Sequence, residues 1–430
     1  MKTDQIQKVH KDWYKLDLSA IVYPTLQRRD FSSVYRLSVL LKEDIDPEIL
    51  QRAVNLTMPR FPTYKAAIRK GVFWRYLEPN DRPGPFVQED VKNPCQPMHF
   101  KGNKRYLVRI YYYRNRIALE AHHSLGDGTG GMCVLQTLTA TYLRLKGHSE
   151  IENGGFVLDI LGIPDPGELE DAYMKYANAK VCPPRPGEKT YRVRGTKEPF
   201  YTLNIIDGIM SVSEVMRVAK SYNATITEYL NSVLLYALMQ KQESEWHLKL
   251  RPIKIAMPVN LRRFFPSRTL RNFITMIYPG IDPRLGEYTF EEIVTQVHNY
   301  MRYYLNEKLL RGDITTNAET QRNPFIRIVP LFIKDLVVRQ FYTKIQDKNS
   351  SAGLTNMGAL KVPETMKPYI ERFDIYMGQP FSTRTNCAIA SFEDILTINF
   401  ASSIAETDVE RLFFRKLVQD GIHVKIESNR

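Results

Sequence analysis

Two adjacent histidines followed by a glycine-rich stretch, residues 121–131 (AHHSLGDGTGG), constrain this chain of 430 residues more than any other feature. Ahead of them, residues 106–113 and 117–121 are rich in β-branched and aromatic residues and flank the turn-like RNR at 114–116, a pattern typical of a β-hairpin. Behind them, residues 132–146 carry apolar residues at spacings of three and four, which predicts one helical face. The histidines therefore leave a strand and enter a turn that opens a helix.

At this position the two histidine side chains should have different surroundings. Strand geometry sends His122 and His123 to opposite faces, so one imidazole can face a cleft while the other packs. A histidine at such a turn can titrate near neutrality and act as a general base. The neighbouring glycines let the backbone turn where a Cβ would clash. Asp127 lies four residues after His123. Its carboxylate could contact that imidazole or pair with a distant cation, and the sequence leaves both alternatives open.

The pattern HHxxxDG resembles the active-site motif of the CoA-dependent acyltransferase superfamily. That superfamily includes chloramphenicol acetyltransferases, alcohol acetyltransferases, polyketide-associated acyltransferases and the condensation domains of nonribosomal peptide synthetases. The resemblance implies that His123 is the catalytic base, that His122 and Asp127 are structural, and that Gly128 keeps the substrate channel open. It also implies an α/β fold of two chloramphenicol acetyltransferase-like lobes. Each would be a mixed β-sheet flanked by helices, and together they would form a V with the active-site channel between them.

Two weaker signals lie in the second half of the chain. The runs PVNLR (258–262) and RNF (271–273) resemble a second signature of the superfamily, whose arginine reaches back to the aspartate of HHxxxDG. Arg262 is the matching position and Arg263 is a near alternative. The run TNMG (355–358) resembles the strand end beside the acyl-donor channel. The resemblance thus places Asn272, Asn356 and Gly358 along the donor or substrate channel.

Other interpretations of the motif are a pair of packed histidines beside a loop, and a metal site. His123 and Asp127 have a ligand-like spacing, but zinc sites usually need three or four protein ligands. None of the remaining histidines has a paired ligand spacing; they are His10, His99, His148, His247, His298 and His423. We therefore expect no bound metal.

The chain length and the positions of prolines and glycines predict the domain organisation. A chain of this length favours two domains or one large one. Prolines and glycines accumulate between residues 159 and 199, which is typical of a crossover. We predict an N-terminal lobe at 1–180, an inter-lobe crossover at 181–199 and a C-terminal lobe at 200–430. In the first lobe, Asp46 followed by Pro47 predicts the cap and first turn of a helix. In the second lobe the periodicity predicts a strand at 200–206, one helix at 290–310 and another at 326–342 that breaks at Pro330.

The charge and the cysteines limit which partners and which compartment we expect. The net charge of +13 is spread along the chain and attracts anions such as coenzyme A phosphates or an acidic carrier protein. Nucleic acid is not expected, because the sequence has no zinc-finger or RNP signature. The four cysteines, Cys95, Cys133, Cys182 and Cys387, form no CxxC and indicate free thiols in a reducing compartment. With no signal-peptide pattern and no run near 18 apolar residues, we expect a cytoplasmic protein without a transmembrane segment. We also expect a monomer.

These observations predict an acyltransferase similar to alcohol O-acetyltransferases. It would move an acyl group, expected to be acetyl, from acyl-CoA to the hydroxyl or amine of a small-molecule acceptor. Acyl-CoA would be a co-substrate, with no cofactor bound permanently. His123 would take the acceptor proton, and no covalent intermediate would form. The alternatives are a free-standing condensation-type enzyme that uses carrier-protein thioesters, and a non-catalytic binding protein of the same fold.

Overall fold

The computed structural model describes residues 13–27, 31–98, 100, 106–180, 187–245, 247, 249–344, 349–378 and 383–430. The strands are β1 Tyr14–Lys15, β2 Val34–Leu41, β3 Ala66–Lys70, β4 Arg75–Pro79, β5 Val87–Glu89, β6 Val108–Tyr113, β7 Arg116–His122, β8 Asn204–Ser211, β9 Ile253–Asn260, β10 Ile274–Ile277, β11 Gly280–Ile281, β12 Ala352–Ala359, β13 Ile370–Met377, β14 Thr385–Phe392, β15 Ile395–Ser402 and β16 Lys425–Ser428. The α-helices are α1 Tyr23–Leu26, α2 Pro47–Thr57, α3 Gly128–Leu145, α4 Ala172–Tyr176, α5 Val212–Ser221, α6 Ile226–Ser244, α7 Phe290–Tyr304, α8 Glu307–Arg322, α9 Pro324–Ile328, α10 Leu331–Lys344 and α11 Asp408–Gln419.

The first large sheet has the strand order β13-β2-β7-β6-β5. Strand β5 runs parallel to β6, and the other neighbours are antiparallel. All eight residues of β2 are buried, as expected for a central strand that is covered on both faces. Helices α2 and α3 supply Leu50, Val54 and Leu135 to the core on this sheet. Burial of these large apolar side chains is the main term that stabilises the lobe.

The second large sheet has the order β10-β9-β12-β14-β15-β8-β16, and β11 also pairs with β9. Strand β12 runs parallel to both β9 and β14, so this sheet is mixed. Its core contains residues of α6, α7 and α11 packed against the strands. A smaller sheet has the order β1-β4-β3. The predicted α/β fold with two lobes is confirmed.

One strand connects the two halves of the chain. β13 lies within the segment predicted to form the second lobe, yet it hydrogen-bonds along β2 in the first sheet, with Tyr376 opposite Arg36. No local pattern specifies this exchange, because an apolar strand can pair with either sheet. The predicted division into 1–180, 181–199 and 200–430 therefore stays a prediction. Strand β13 belongs to the third of these segments but lies in the sheet of the first.

Several local predictions are confirmed. Asp46 caps α2, accepting hydrogen bonds from the backbone of Glu48 at 2.8 Å and of Ile49 at 3.1 Å. The β6–β7 hairpin and the helix after the histidine motif are present, and the helical stretch breaks before α10 at Pro330 as predicted.

Two predictions were wrong. The single helix expected at 290–310 is two helices, because Asn306 caps a new helix by accepting a hydrogen bond from the Leu309 backbone at 3.0 Å. The strand expected at 200–206 is β8, which begins later, at Asn204, and runs on to Ser211. In each case a local polar cap or pairing partner outweighed the apolar periodicity.

Candidate active site

The histidine motif lies where β7 ends and α3 begins. The backbone N–H of His122 still bonds to the Leu107 carbonyl at 2.9 Å, and that of His123 bonds to the Ser33 carbonyl at 2.8 Å. His122 is fully buried and packs edge-on against Phe100, with ring centroids 5.5 Å apart. The two side chains therefore have different surroundings, as the strand geometry predicted.

His123 is held between two tyrosines. Its ring stacks on Tyr23 of α1 with centroids 4.8 Å apart and an interplanar angle of 21°. On another side it meets Tyr35 of β2, with centroids 4.6 Å apart at 49°. The side chain is deep in the protein but keeps partial exposure, unlike His122. An imidazole in this clamp has a defined orientation.

Both imidazoles are neutral at pH 7. Burial lowers the pKa of His123 to about 4, against the opposing influence of Asp127, the Asn272 side chain and the Gly126 backbone. Burial, with smaller contributions from His123 and Arg109, lowers the pKa of His122 to about 3. Nδ1 of His122 accepts a hydrogen bond from the Ser124 backbone at 3.2 Å. Nδ1 of His123 is buried and has no hydrogen-bond partner among the described residues.

Asp127 is a structural hub of the turn. One carboxylate oxygen, Oδ1, caps α3 by accepting from the backbones of Thr129 at 3.1 Å and Gly130 at 3.2 Å. The other, Oδ2, accepts from Nη1 of Arg262 at 2.8 Å and from the Phe273 backbone at 2.9 Å. The Asp127 side chain is only 3% exposed, so these four donors compensate for its burial. Asp127 thus pairs with a distant cation, and that cation is Arg262 and not Arg263.

Arg262 is itself held on every side. Its guanidinium donates to the Asn260 side chain at 3.2 Å, to the Thr269 carbonyl at 2.9 Å and to the Arg271 carbonyl at 2.5 Å. It lies on the 3₁₀ turn Leu261–Arg263, directly after β9 of the second sheet. The pair with Asp127 therefore connects the turn after β7 in one lobe to the end of β9 in the other. A planar guanidinium suits this role because its donors lie in a fixed fork.

Asn272 connects His123 to a buried aspartate. Its Nδ2 donates to the His123 carbonyl at 2.8 Å and to Asp17 Oδ2 at 3.1 Å. Asp17 is fully buried, and it also accepts from the Ala20 backbone at 2.8 Å and lies 3.6 Å from Arg271. Burial raises the pKa of Asp17, while Arg271 opposes that shift. Sequence reasoning did not single out Asp17; an isolated aspartate in the apolar run 13–24 was the available signal.

The TNMG run also reaches the motif. Asn356 accepts a hydrogen bond from the Gly358 backbone at 2.7 Å and donates to Thr227 Oγ1 at 2.8 Å. Gly358 has φ of +73°, a conformation that favours glycine. The Met357 side chain faces Gly128, where an added Cβ would lie 2.9 Å from the sulfur. The structure therefore brings the end of β12 against the start of α3.

Two other glycines are required by close approach. A Cβ at Gly126 or Gly130 would collide with the Leu270 carbonyl oxygen and the Tyr64 hydroxyl. Tyr35 meanwhile donates to the Asp127 carbonyl at 3.1 Å. The tyrosines at positions 23, 35 and 64 carry no sequence motif, and sequence reasoning did not assign any of them to the site.

Within the described ranges, no group of three or more His, Cys, Asp or Glu side chains is placed to hold a metal ion. His10, His99 and Cys182 lie outside the described residues, and Cys95, Cys133 and Cys387 are buried free thiols. Among the helices that the structure describes, none combines the length and apolarity that a membrane span needs.

No protein-family model matches this sequence, and no curated protein matches it either. Solved structures do match over nearly the whole chain. TRI101 of Fusarium sporotrichioides, solved with coenzyme A and T-2, has a TM-score of 0.63 and 11% identity, covering 97% of this chain and 100% of that one. The starter condensation domain of rhizomide synthetase, solved with C8-CoA, has a TM-score of 0.60 and 13% identity, covering 97% of each chain. Polyketide synthase associated protein 5 from Mycobacterium tuberculosis has a TM-score of 0.59 and 13% identity, covering 94% of this chain and 96% of that one.

At these identities the matches show the fold alone. The chain has the two-lobed fold that CoA-dependent acyltransferases and condensation domains share, and the fold expected from HHxxxDG is confirmed.

Proposed function

We propose that this protein transfers an acyl group from a thioester to a hydroxyl or amine, with His123 as general base. The observation that carries the proposal is the neutral imidazole of the half-buried residue His123, clamped by Tyr23 and Tyr35 where the two lobes meet. A neutral imidazole keeps a lone pair that can accept a proton at pH 7. The similarity of fold to acyltransferases supports the same reaction class.

In the proposed reaction His123 accepts the proton of the acceptor O–H or N–H as that atom attacks the thioester carbonyl. The tetrahedral intermediate collapses, the C–S bond breaks, and the leaving thiolate takes the proton from the imidazolium. An ester or amide and a free thiol result, and no acyl-enzyme forms. General base catalysis of this kind supplies roughly 10² to 10⁴-fold, or about 3–5 kcal/mol. The remainder comes from holding both substrates together in one site.

The surrounding residues would position the base and do not transfer protons themselves. Asp127 and Arg262 fix the turn that follows His123, and Asn272 holds the His123 carbonyl. Gly128, Asn356 and Gly358 would line the donor side of the channel, because β12 meets the start of α3 there. In the same proposal His122 is a packing residue.

The proposed donor is acyl-CoA, used as a co-substrate, with acetyl as the first acyl group to test. The net charge of +13 favours a phosphate-bearing donor. Attraction between exposed charges is screened by salt, so the KM for acyl-CoA should rise with ionic strength. A flat response would argue for a donor that is held by apolar contacts.

The deciding experiment is thiol release from acetyl-CoA and C8-CoA with a panel of alcohols and amines, in parallel with an acylated carrier protein. Turnover with acyl-CoA that depends on His123 supports the proposal. Turnover with the acylated carrier protein as donor, but not with acyl-CoA, would favour the condensation-type alternative. If no donor reacts faster with the parent than in the absence of protein, the protein is a non-catalytic binder. We further propose a monomer, to be checked by sedimentation.

A further inference from the structure

An apolar surface lies on α9, α10 and the β3–β4 turn. Ten large apolar side chains there are exposed: Val72, Phe73, Trp74, Phe325, Ile326, Ile328, Phe332, Ile333, Leu336 and Val337. Phe325 is 76% exposed, Phe332 69% and Trp74 53%. We call these ten residues the apolar patch. Soluble monomers rarely expose so many neighbouring apolar side chains without a partner.

Hydrogen bonds join the three elements that carry the patch. The Leu331 backbone N–H donates to the Val72 carbonyl at 2.8 Å. The Lys334 ammonium donates to the Phe73 carbonyl at 2.9 Å and to the Arg327 carbonyl at 3.1 Å. Lys334 therefore joins the β3–β4 turn to both helices.

The charges around the patch are mainly positive. Between residues 322 and 340 the chain carries four basic residues and one acidic residue; the basic ones are Arg322, Arg327, Lys334 and Arg339. The acidic one, Asp335, is paired with Arg75 at 2.7 Å. Aromatic and aliphatic side chains accompanied by basic residues are typical of helices that lie in the surface of an anionic bilayer.

We propose that the apolar patch binds an anionic lipid bilayer in the plane of its surface. A second copy of the chain fits less well, because a symmetric contact would bring the basic residues of both copies together. An acidic protein would match the charge but would cover the ten apolar side chains only if it also presented an apolar face of similar extent. Helix α10 has 14 residues, which is too short to cross a bilayer, so the contact is peripheral.

A short series of contacts connects the helix α10 of the patch to His123. Asp335 of α10 accepts a hydrogen bond from the Thr25 hydroxyl at 2.9 Å, and Arg339 donates to the Thr25 carbonyl at 2.8 Å. Thr25 belongs to α1, which also carries Tyr23, the residue stacked on His123. A bilayer on the patch would thus lie on α10, which contacts the helix that carries Tyr23. From this we infer a lipophilic alcohol or amine as acceptor, a refinement that rests on the proposed function.

Vesicle flotation tests the surface without any reference to activity. The probe is phosphatidylcholine vesicles with and without about a third phosphatidylglycerol. We expect the parent to float with the anionic vesicles, and Phe325→Ser combined with Phe332→Ser to bind at least ten-fold more weakly with an unchanged Tm. The matched control is Leu285→Ser, since Leu285 is 81% exposed but lies outside the patch. Trp74 fluorescence should shift to the blue with vesicles, and Trp74→Phe should remove that part of the shift.

The outcomes separate the surface from the chemistry. No flotation of the parent, equal flotation of the double variant, or an equal loss with Leu285→Ser would overturn the bilayer proposal. A dimer that the double variant abolishes, without flotation, would assign the patch to a second copy. Capture of an acidic acyl carrier protein without flotation would assign it to that partner. If the parent acylates a soluble short-chain alcohol but never floats, the proposed function stands and the bilayer does not.

For the acceptor, the double variant should slow acylation of a long-chain alcohol dissolved in vesicles and leave that of a soluble alcohol unchanged. Equal effects on both alcohols would overturn the lipophilic-acceptor inference.

Discussion

The Asp127 carboxylate and the Arg262 guanidinium lie 2.8 Å apart, although 135 positions separate them in the chain. One residue caps the helix that follows the first sheet, and the other follows β9 of the second sheet. Both side chains are largely buried, with exposures of 3% and 11%. The pair therefore connects the lobes directly behind the turn that carries His123.

Breaking this pair from either side should destabilise the protein. Asp127→Ala and Arg262→Ala each leave an uncompensated buried charge, at a cost of about 3–5 kcal/mol. The double variant should lose less than the sum of the two, because neither charge remains. Urea unfolding of the four proteins gives the coupling free energy. Arg263→Ala is the matched control and should be nearly neutral, since Arg263 is exposed. Strictly additive losses would contradict the coupling.

Substitution of His123 should mainly lower turnover, whereas substitution of His122 should mainly lower stability. His123→Ala should lower kcat/KM by roughly 10² to 10⁴-fold while the Tm changes little. His122→Ala leaves a cavity beside Phe100 and should cost about 2 kcal/mol of stability, with a smaller effect on turnover. His423→Ala serves as the control, because that side chain is 93% exposed. A larger catalytic loss at His122 than at His123 would mean that the base is assigned to the wrong residue.

The low pKa of His123 predicts the acid side of the pH–rate profile. The neutral imidazole is the active form, so kcat/KM should be level from pH 8 to about pH 5 and fall as pH approaches about 4. Stability should also fall on acidification. The unfolded chain binds protons below about pH 6.5, whereas the folded histidines resist protonation down to about 4 and about 3. An apparent pKa near 7 in kcat/KM would show that the free site is more solvated than this structure indicates.

The glycines of the motif should differ in tolerance. Gly130→Ala places a methyl group against the Leu270 backbone carbonyl, which cannot move without shifting its segment, so we expect a loss of several kcal/mol. Gly128→Ala meets the flexible Met357 side chain and should remain folded but less active. Adding Met357→Ala to Gly128→Ala should restore part of the activity. Circular dichroism melts and thiol release distinguish these cases, and equal Tm losses for the two single variants would refute the distinction.

Removal of metal should leave acyl transfer unchanged. We expect dialysis against a strong chelator to have no effect, because base catalysis by His123 on an activated thioester needs no Lewis acid. A loss of activity that zinc restores would overturn this prediction and revive a role for His123 and Asp127 as ligands.

Much of the site follows from sequence patterns that are local. Alternating and helical periodicity predicted the β6–β7 hairpin and α3, and HHSLGDG placed the histidines between them. The α2 cap at Asp46 was also readable, because capping depends on residues within one turn. The choice of Arg262 and the importance of Asn272 came from the family pattern, since nothing local indicates a partner more than a hundred positions away.

Tertiary structure decided the rest. Asp17 and Tyr23 come from the segment at 13–24 and Tyr35 comes from β2, and they meet around His123 or the residue that holds it, Asn272. The pairing of β13 with β2, and the choice of Arg262 over Arg263, also depend on which surfaces finally pack together. The sequence by itself determined the elements and the chemistry of the histidine turn, because hydrogen bonds and periodicity act over a few residues. The surroundings of His123, and with them its low pKa, were set only by long-range packing, since burial is a property of the assembled fold.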